Sequence, residues 1–118
     1  MRAINHVLAV VPVGDFEAAK SWYERLLGRP ADNLPMPGLA DWRLTDTGWV
    51  QVFRDTDRAG STMLNLAVDH LDELVTELAN RGLTPGPVQE ASGAVRLSTI
   101  NDPDGNTITF IENLRTAG

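Results

Sequence analysis

The chain has 118 residues, 42% of them hydrophobic and 22% charged, which is enough for one hydrophobic core and too few for two. Ten lysines and arginines against sixteen aspartates and glutamates leave a formal net charge of −6, which disfavours binding to nucleic acid phosphates. There is no cysteine, so disulfides, thiolate metal ligands and cysteine nucleophiles are excluded.

The N-terminal segment combines a short apolar run with an amphipathic helix. The run from Val7 to Val13 is too short to cross a bilayer, and segment 1–15 lacks the features of a signal peptide, so we expect a cytoplasmic protein without membrane contact. Residues 6–11 are typical of a strand. Apolar residues at helical spacing then predict a helix over Phe16–Leu27, with Asp15 before it and Gly28 as its stop.

Shorter segments complete the first half of the chain. Leu34–Gly38 contains two prolines and a glycine and is predicted as a loop, whereas Asp41–Thr45 is predicted as a strand. A turn at Asp46 leads into a further strand that ends at Phe53. The polar segment Arg54–Gly60 has no periodicity and is predicted as a connector.

The second half repeats this order of elements. Residues 63–68 are typical of a strand, and Leu71, Leu74 and Leu78 predict a helix that Gly82 stops, with Asp72 placed as in a capping box. Three further strands are predicted, over residues 86–90, 94–100 and within 104–111.

The two halves therefore align with each other. Residues 6–11 match 63–68 at an offset of 57, and the closing strands match at an offset of 58. We predict a single α+β domain over 1–118, built from two tandem βαβββ modules, at 1–57 and 61–118. Each module alone would leave one face of its sheet uncovered, so the two must pack together.

Three segments of the chain resemble a known superfamily. They are the early strand histidine in Asn5-His-Val-Leu8, the strand and helix of residues 66–74, and the closing Asp-Pro-Asp-Gly-Asn of residues 102–106. They are similar to the vicinal oxygen chelate superfamily of glyoxalases, bleomycin-resistance proteins and extradiol dioxygenases. The resemblance spans nearly the whole chain and implies curled mixed sheets that form a cleft.

Catalytic members of this superfamily hold a divalent metal with four inward-facing His, Glu or Gln residues. Carried over by the resemblance, these positions fall on His6, Gln51, Met63 and Thr109. An amide, a thioether and a hydroxyl supply too little charge to offset the dehydration of a divalent ion. We therefore expect no metal and no other cofactor, with a divalent metal in a rearranged site as the alternative.

The expected cleft wall follows from strand alternation, which places residues of one parity on one face of each sheet. Aromatic, amide and hydroxyl side chains are the usual lining of a small-molecule pocket. We expect ligand contacts from His6, Trp42, Trp49, Gln51, Phe53, Met63, Asn65, Arg96 and Thr109.

Two functions of different classes fit these features. The first is a protein of the glyoxalase and bleomycin-resistance type that binds a small organic molecule without a metal. The second is an enzyme, a lyase, isomerase or dioxygenase with a rearranged metal site, or one in which His6 is the general base. Whether the chain is an enzyme stays open at this point. In either case we expect a homodimer, because a second copy would cover the open sides of the sheets.

Overall fold

A computed structural model of the chain describes residues 3–114. Its helices and strands, in chain order, are β1 (Val7–Val13), α1 (Phe16–Leu27), β2 (Asn33–Met36), β3 (Leu39–Arg43), β4 (Gly48–Arg54), β5 (Met63–Val68), α2 (Leu71–Asn80), β6 (Gln89–Ala91), β7 (Val95–Asn101) and β8 (Thr107–Asn113).

The strands form two mixed sheets with the same topology. The first sheet has the order β1-β4-β3-β2 and the second has the order β5-β8-β7-β6. In each sheet the first and last strands of the module are parallel and the remaining pairs are antiparallel. The predicted α+β fold of two βαβββ modules is therefore confirmed.

The two sheets do not close on each other. The described part of the chain measures 43 × 39 × 25 Å, and none of its strands is hydrogen-bonded to a strand of the other sheet. Each helix covers one face of its own sheet, and we call the other face the open face. No helix within residues 3–114 is long and apolar enough to cross a membrane.

Helix α1 has the bounds that the sequence predicts. The side chain of Asp15 accepts a hydrogen bond of 3.1 Å from the backbone N–H of Ala18, and Gly28 ends the helix with a φ of +79°. The buried face of the helix carries Tyr23 and Leu26, which lie in one core with Val50 and Val52 of β4.

Helix α2 begins without the predicted capping box. Its N-cap is His70, which makes no side-chain hydrogen bond to the helix. The carboxylate of Asp72 accepts a hydrogen bond of 2.7 Å from Arg96 of β7 instead. The capping role predicted for Asp72 is therefore wrong, because an arginine on the sheet competes for the same carboxylate.

Strand β2 lies where the sequence predicts a loop. It covers Asn33–Met36 at the edge of the first sheet, and its register with β3 is irregular. Proline has no N–H to donate, but an edge strand can accommodate it on the side without a neighbour. The prediction of a loop at Leu34–Gly38 was therefore wrong over its first half, and β3 begins two residues before its predicted start at Asp41.

Strand register corrects the internal alignment of the repeat. Leu8 pairs with Trp49, and Met63 pairs with Thr107 at the matching place in the second sheet. Met63 is therefore equivalent to Leu8 and not to His6, which gives an offset of 55 for the first strands. The starts of the two helices are separated by the same number of residues, and the offset of 58 holds for the closing strands.

The Asp-Pro-Asp-Gly-Asn segment at 102–106 joins the two modules. The side chain of Asn106 is 1% exposed; its amide nitrogen donates to the carbonyl of Pro12 at 2.9 Å, and its oxygen accepts from the backbone N–H groups of Gly60 and Thr62. One side chain thus connects β1, the connector and the entry to β8. We call this cluster the intermodule joint.

Gly60 is required by the close approach of two backbones at this joint. Its φ is +94°, and a Cβ atom there would lie 2.5 Å from the carbonyl oxygen of Asp104. Any side chain at residue 60 would therefore push the connector away from the turn at Asp104 and disrupt the intermodule joint.

Candidate ligand-binding site

The open face of the first sheet carries alternate residues of its strands. Val50, Val52 and Trp42 lie in the core under α1, so their neighbours along each strand lie on the open face. Strand register orders these side chains in rows. The first row is Leu8, Trp49 and Arg43; the second is Val10, Gln51, Asp41 and Asn33; the third is Pro12, Phe53, Leu39 and Met36.

Trp49 is the centre of a stack of planar groups on this face. The imidazole of His6 lies 4.8 Å from the ring centroid of Trp49 with an interplanar angle of 28°, and the guanidinium carbon of Arg43 lies 4.5 Å from the same ring. Nδ1 of His6 is also hydrogen-bonded to the side-chain oxygen of Asn5. The stack offers flat, polarisable surface with positive charge beside it.

Two buried polar atoms belong to residues of this face. They are Oδ1 of Asp41 and Nε1 of Trp49, and neither has a hydrogen-bond partner within residues 3–114. Asp41 is 5% exposed, although it belongs to the open face. Buried polar groups are nearly always paired in folded proteins, so an unpaired donor and acceptor here point to an occupant.

Hydroxyl and amide groups line one part of the open face of the second sheet. Asn65 pairs in register with Thr109, whose hydroxyl lies 3.3 Å from that of Thr99. The hydroxyl of Thr107 donates to the side-chain oxygen of Asn101 at 3.2 Å. Met63 stands at the start of β5 and is 77% exposed. The next row of the same face is apolar, with Ala67, Ile111 and Leu97 in register. The surface is therefore neutral and part polar, part aliphatic, in contrast to the aromatic surface of the first sheet.

The structure brings seven of the nine predicted contact residues to the open faces. His6, Trp49, Gln51 and Phe53 lie with the first sheet, and Met63, Asn65 and Thr109 lie on the second. The two groups are on different sheets, which share no strand-to-strand hydrogen bonds within residues 3–114.

Trp42 lies on the helix-facing side of its sheet, contrary to the prediction. Its side chain is fully buried near Tyr23, and its indole nitrogen donates to the carbonyl of Arg29 at 3.0 Å. The prediction placed Trp42 at a junction of loop and strand. In the structure it lies inside β3, where strand alternation directs its side chain to the helix-facing side. Trp42 is part of the core.

Arg96 also lies on the helix-facing side. Its guanidinium forms ion pairs with Asp72 of α2 at 2.7 Å and with Glu112 of β8 at 3.0 Å. The hydrogen bond with Asp72, more than the remaining contacts, raises the pKa of Arg96. Both acids hold this arginine between α2 and the sheet, so it is no part of the predicted cleft.

Asp41 and Arg43 were missed by the sequence prediction. The segment Leu39-Ala-Asp-Trp-Arg43 alternates between apolar and polar residues, and this alternation is the signal that could have placed both on one face. The predicted strand began at Asp41 and left out Leu39 and Ala40, so the alternation was too short to recognise.

The residues at the superfamily's metal positions do not fit a metal. His6 is stacked on Trp49. The position equivalent to Met63 in the first sheet is Leu8, two residues after His6. Gln51 and Thr109 lie on different sheets. Within residues 3–114, no group of three or more His, Asp or Glu side chains is placed to hold a metal ion.

Two cavities lie beside the helices, and each shares residues with an open face: Met36 and Leu39 line one, and Trp49 and Asn65 line the other. One, of about 700 Å³, lies between the start of α1 and the β2–β3 hairpin, with Lys20 and Arg54 among its lining residues. The other, of about 750 Å³, is an apolar groove between the edge strands β1 and β5 and the two helices. Neither cavity contains Asp41 or Gln51 in its lining.

Several solved structures are similar to this chain. A glyoxalase/bleomycin resistance protein from Catenulispora acidiphila DSM 44928 is 34% identical, with a TM-score of 0.86 over 91% of this chain and 96% of that chain. TnmS3, an antibiotic binding protein from Streptomyces sp. CB03234, is 28% identical, with a TM-score of 0.77 over 94% and 98% of the two chains.

A more distant structure shares the fold alone. A glyoxalase/bleomycin resistance protein from Albidiferax ferrireducens T118 is 19% identical, with a TM-score of 0.70 over 90% of this chain and 97% of that chain. No curated protein matches the chain. The family model described as a glyoxalase-like domain matches residues 8–111, and the chain therefore belongs to the glyoxalase-like domain family, within the vicinal oxygen chelate superfamily.

Proposed function

We propose that this protein binds a small, planar organic molecule on the open face of its first sheet, without a catalytic metal. The observation that carries the proposal is the stack of His6, Trp49 and Arg43, beside which the indole nitrogen of Trp49 is buried without a partner. A flat aromatic ligand would extend this stack, because planar rings and guanidinium groups pack against the face of an indole.

One of the similar structures, together with the residues of the site, supports binding over catalysis. TnmS3, which is described as an antibiotic binding protein, is 28% identical to this chain over almost its whole length. The enzyme alternative would need either a metal site or a general base in contact with a second reactive group. The residues at the metal positions do not fit a metal, and the ring of His6 contacts an indole and an amide.

We also propose that a second copy of the chain completes the binding site. On the open faces, Leu8, Val10, Met36 and Met63 are each at least 37% exposed. Exposed apolar surface of this kind is typical of a protein interface. A two-fold dimer would set the open face of the first sheet of one chain against the open face of the second sheet of its partner and enclose a ligand between them. The cytoplasmic location expected from the sequence stays a prediction.

Acridine, a neutral three-ring aromatic compound, is a suitable probe for this function. A ligand at about 100 times its dissociation constant stabilises a protein by about 2.7 kcal/mol, and the stabilisation grows with the logarithm of the ligand concentration. We therefore expect acridine to raise the melting temperature further with each tenfold increase in its concentration. Trp49→Ala should abolish this shift, whereas Leu114→Ala, which removes an exposed apolar side chain elsewhere, should preserve it. A shift of equal size in the Trp49→Ala protein would contradict the proposed site.

A further inference from the structure

Asp41 is a buried carboxylate without a counter-ion. It is 5% exposed, and neither a hydrogen bond nor an ion pair of its side chain occurs within residues 3–114; Oδ1 is completely buried. Burying a charge without a partner is costly, so acids in protein interiors are normally paired. Oδ1 is covered by the chain itself, whereas Oδ2 is not among the fully buried atoms and is the oxygen that a donor from outside the chain can reach.

The arginines near Asp41 in the sequence are engaged elsewhere. Arg29 forms an ion pair of 3.0 Å with Asp32, and Arg43 lies against the ring of Trp49. Asp32 illustrates an acid that has partners. A hydrogen bond from the backbone N–H of Arg43, and next the charge of Arg29, lower the pKa of Asp32. Asp41 has no comparable donor.

Asp41 lies within reach of a ligand that stacks on Trp49. It pairs in register with Gln51, the residue two positions after Trp49 on β4. Diagonal neighbours in an antiparallel pair are about 7–8 Å apart, which a two-ring or three-ring aromatic molecule spans. An N–H group at the end of such a molecule could therefore reach the carboxylate while its rings lie along the indole.

The overall charge of the protein favours the same class of ligand, whereas the guanidinium of Arg43 against the ring of Trp49 opposes a cation there, so that Asp41 must supply the attraction. With a formal net charge of −6, the chain attracts cations and repels anions at a distance. The strand residues on the open face of the second sheet are neutral, so they do not supply a cation for Asp41.

We infer that Asp41 selects ligands that carry a protonated nitrogen: a planar aromatic amine or amidinium that stacks on Trp49 and donates an N–H to the Asp41 carboxylate. This inference rests on the proposed function, because it assumes a ligand on the open face of the first sheet. Asp41 acts here as a specificity-determining residue and takes no part in bond chemistry.

Two dyes of the same ring skeleton test this selection. At pH 7.5, 9-aminoacridine is a cation and acridine is neutral, so their dissociation constants compare charge and N–H donation on one shape. We expect the wild-type protein to bind 9-aminoacridine at least tenfold more tightly than acridine, as measured by fluorescence titration. In Asp41→Asn, which keeps the shape and removes the charge, this preference should fall to about twofold or less while acridine affinity is retained.

Asp57→Asn is the matched control, because it makes the same change in net charge at an exposed residue of the connector. It should leave the preference for 9-aminoacridine intact. Loss of the preference in both variants would show that the overall charge, and not Asp41, attracts the cation, and would overturn the inference.

The remaining outcomes separate this inference from the proposed function. If both dyes bind the wild type equally, or if Asp41→Asn keeps the full preference, the inference fails and the proposed binding function stands. If neither dye binds at millimolar concentration, both fail. If Asp41→Asn changes the mass of the protein in light scattering and not the dye preference, the counter-ion of Asp41 is a residue of a second copy, and the inference is wrong.

Discussion

The hydroxyl of Tyr23 donates a hydrogen bond of 2.7 Å to Oδ2 of Asp102, a residue 79 positions later in the chain. Tyr23 lies on the buried face of α1 in the first module, and Asp102 opens the intermodule joint in the second. Oδ1 of the same carboxylate accepts from the backbone N–H groups of Asp104 and Asn106. The turn that the sequence marks as Asp-Pro-Asp-Gly-Asn therefore also anchors the two modules to each other.

Ionisation of Tyr23 should require unfolding. Burial, and next the hydrogen bond to Asp102, raise the pKa of this phenol well above its usual value of 10.0. A folded-state pKa above the unfolded value stabilises the protein fully below about pH 10, and this contribution is lost as the pH rises further. The chain has one tyrosine, so tyrosinate absorbance reports this group alone, and it should appear together with the loss of helical circular dichroism. Titration of the folded protein near pH 10 would contradict this.

Asn106→Ala should destabilise the protein strongly. The substitution leaves the carbonyl of Pro12 and the N–H groups of Gly60 and Thr62 without their partner in a buried site. At about 1–3 kcal/mol for each unsatisfied group, we expect the free energy of unfolding in urea to fall by about 3 kcal/mol or more. Asn80→Ala, at an exposed end of α2, should change it by less than about 0.5 kcal/mol. Similar values for the two variants would exclude the joint as a stabilising element.

The sequence predicts the architecture better than it predicts the site. Helical spacing between Asp15 and Gly28 fixed α1 at both ends, because cap and stop residues act locally. Strand β2 escaped prediction because its edge position, which tolerates proline, is a property of the sheet. The predicted β3 began two residues late, so the alternation from Leu39 to Arg43 was not recognised and Asp41 was left out of the site. Which face of the strand is open depends on its pairing with β4, and the local sequence does not specify that pairing.

The purified protein should hold less than one equivalent of metal per chain. His6, Gln51, Met63 and Thr109 offer one imidazole, one amide, one thioether and one hydroxyl, which is a poor donor set for zinc, nickel, iron or manganese. Mass spectrometry of the metal content after purification without chelator measures this directly. One tightly held ion per chain that disappears in His6→Ala would refute the proposal of a metal-independent site.

His6→Ala should weaken ligand binding with little effect on folding. The imidazole is half-buried, and its contacts are with the ring of Trp49 and with the adjacent Asn5. We expect a loss of about 0.5–1 kcal/mol in the free energy of unfolding and a several-fold weaker affinity for acridine. His70→Ala, which changes an exposed histidine at the start of α2, is the control and should alter neither quantity. A collapse of folding in His6→Ala would make His6 a residue of the structural core instead.

The oligomeric state tests whether a second copy covers the open faces. Met63 is 77% exposed on the open face of the second sheet, where an interface with the aromatic face of a partner would bury it. Light scattering at micromolar concentration should give twice the chain mass of 12.9 kDa. Met63→Asp should shift the protein towards the mass of one chain, because an unpaired charge inside an apolar interface is costly. Thr84→Asp adds the same charge at an exposed position between α2 and β6 and should leave the dimer intact. A wild-type mass near 12.9 kDa that persists at high concentration would instead require each chain to bind its ligand on an uncovered face.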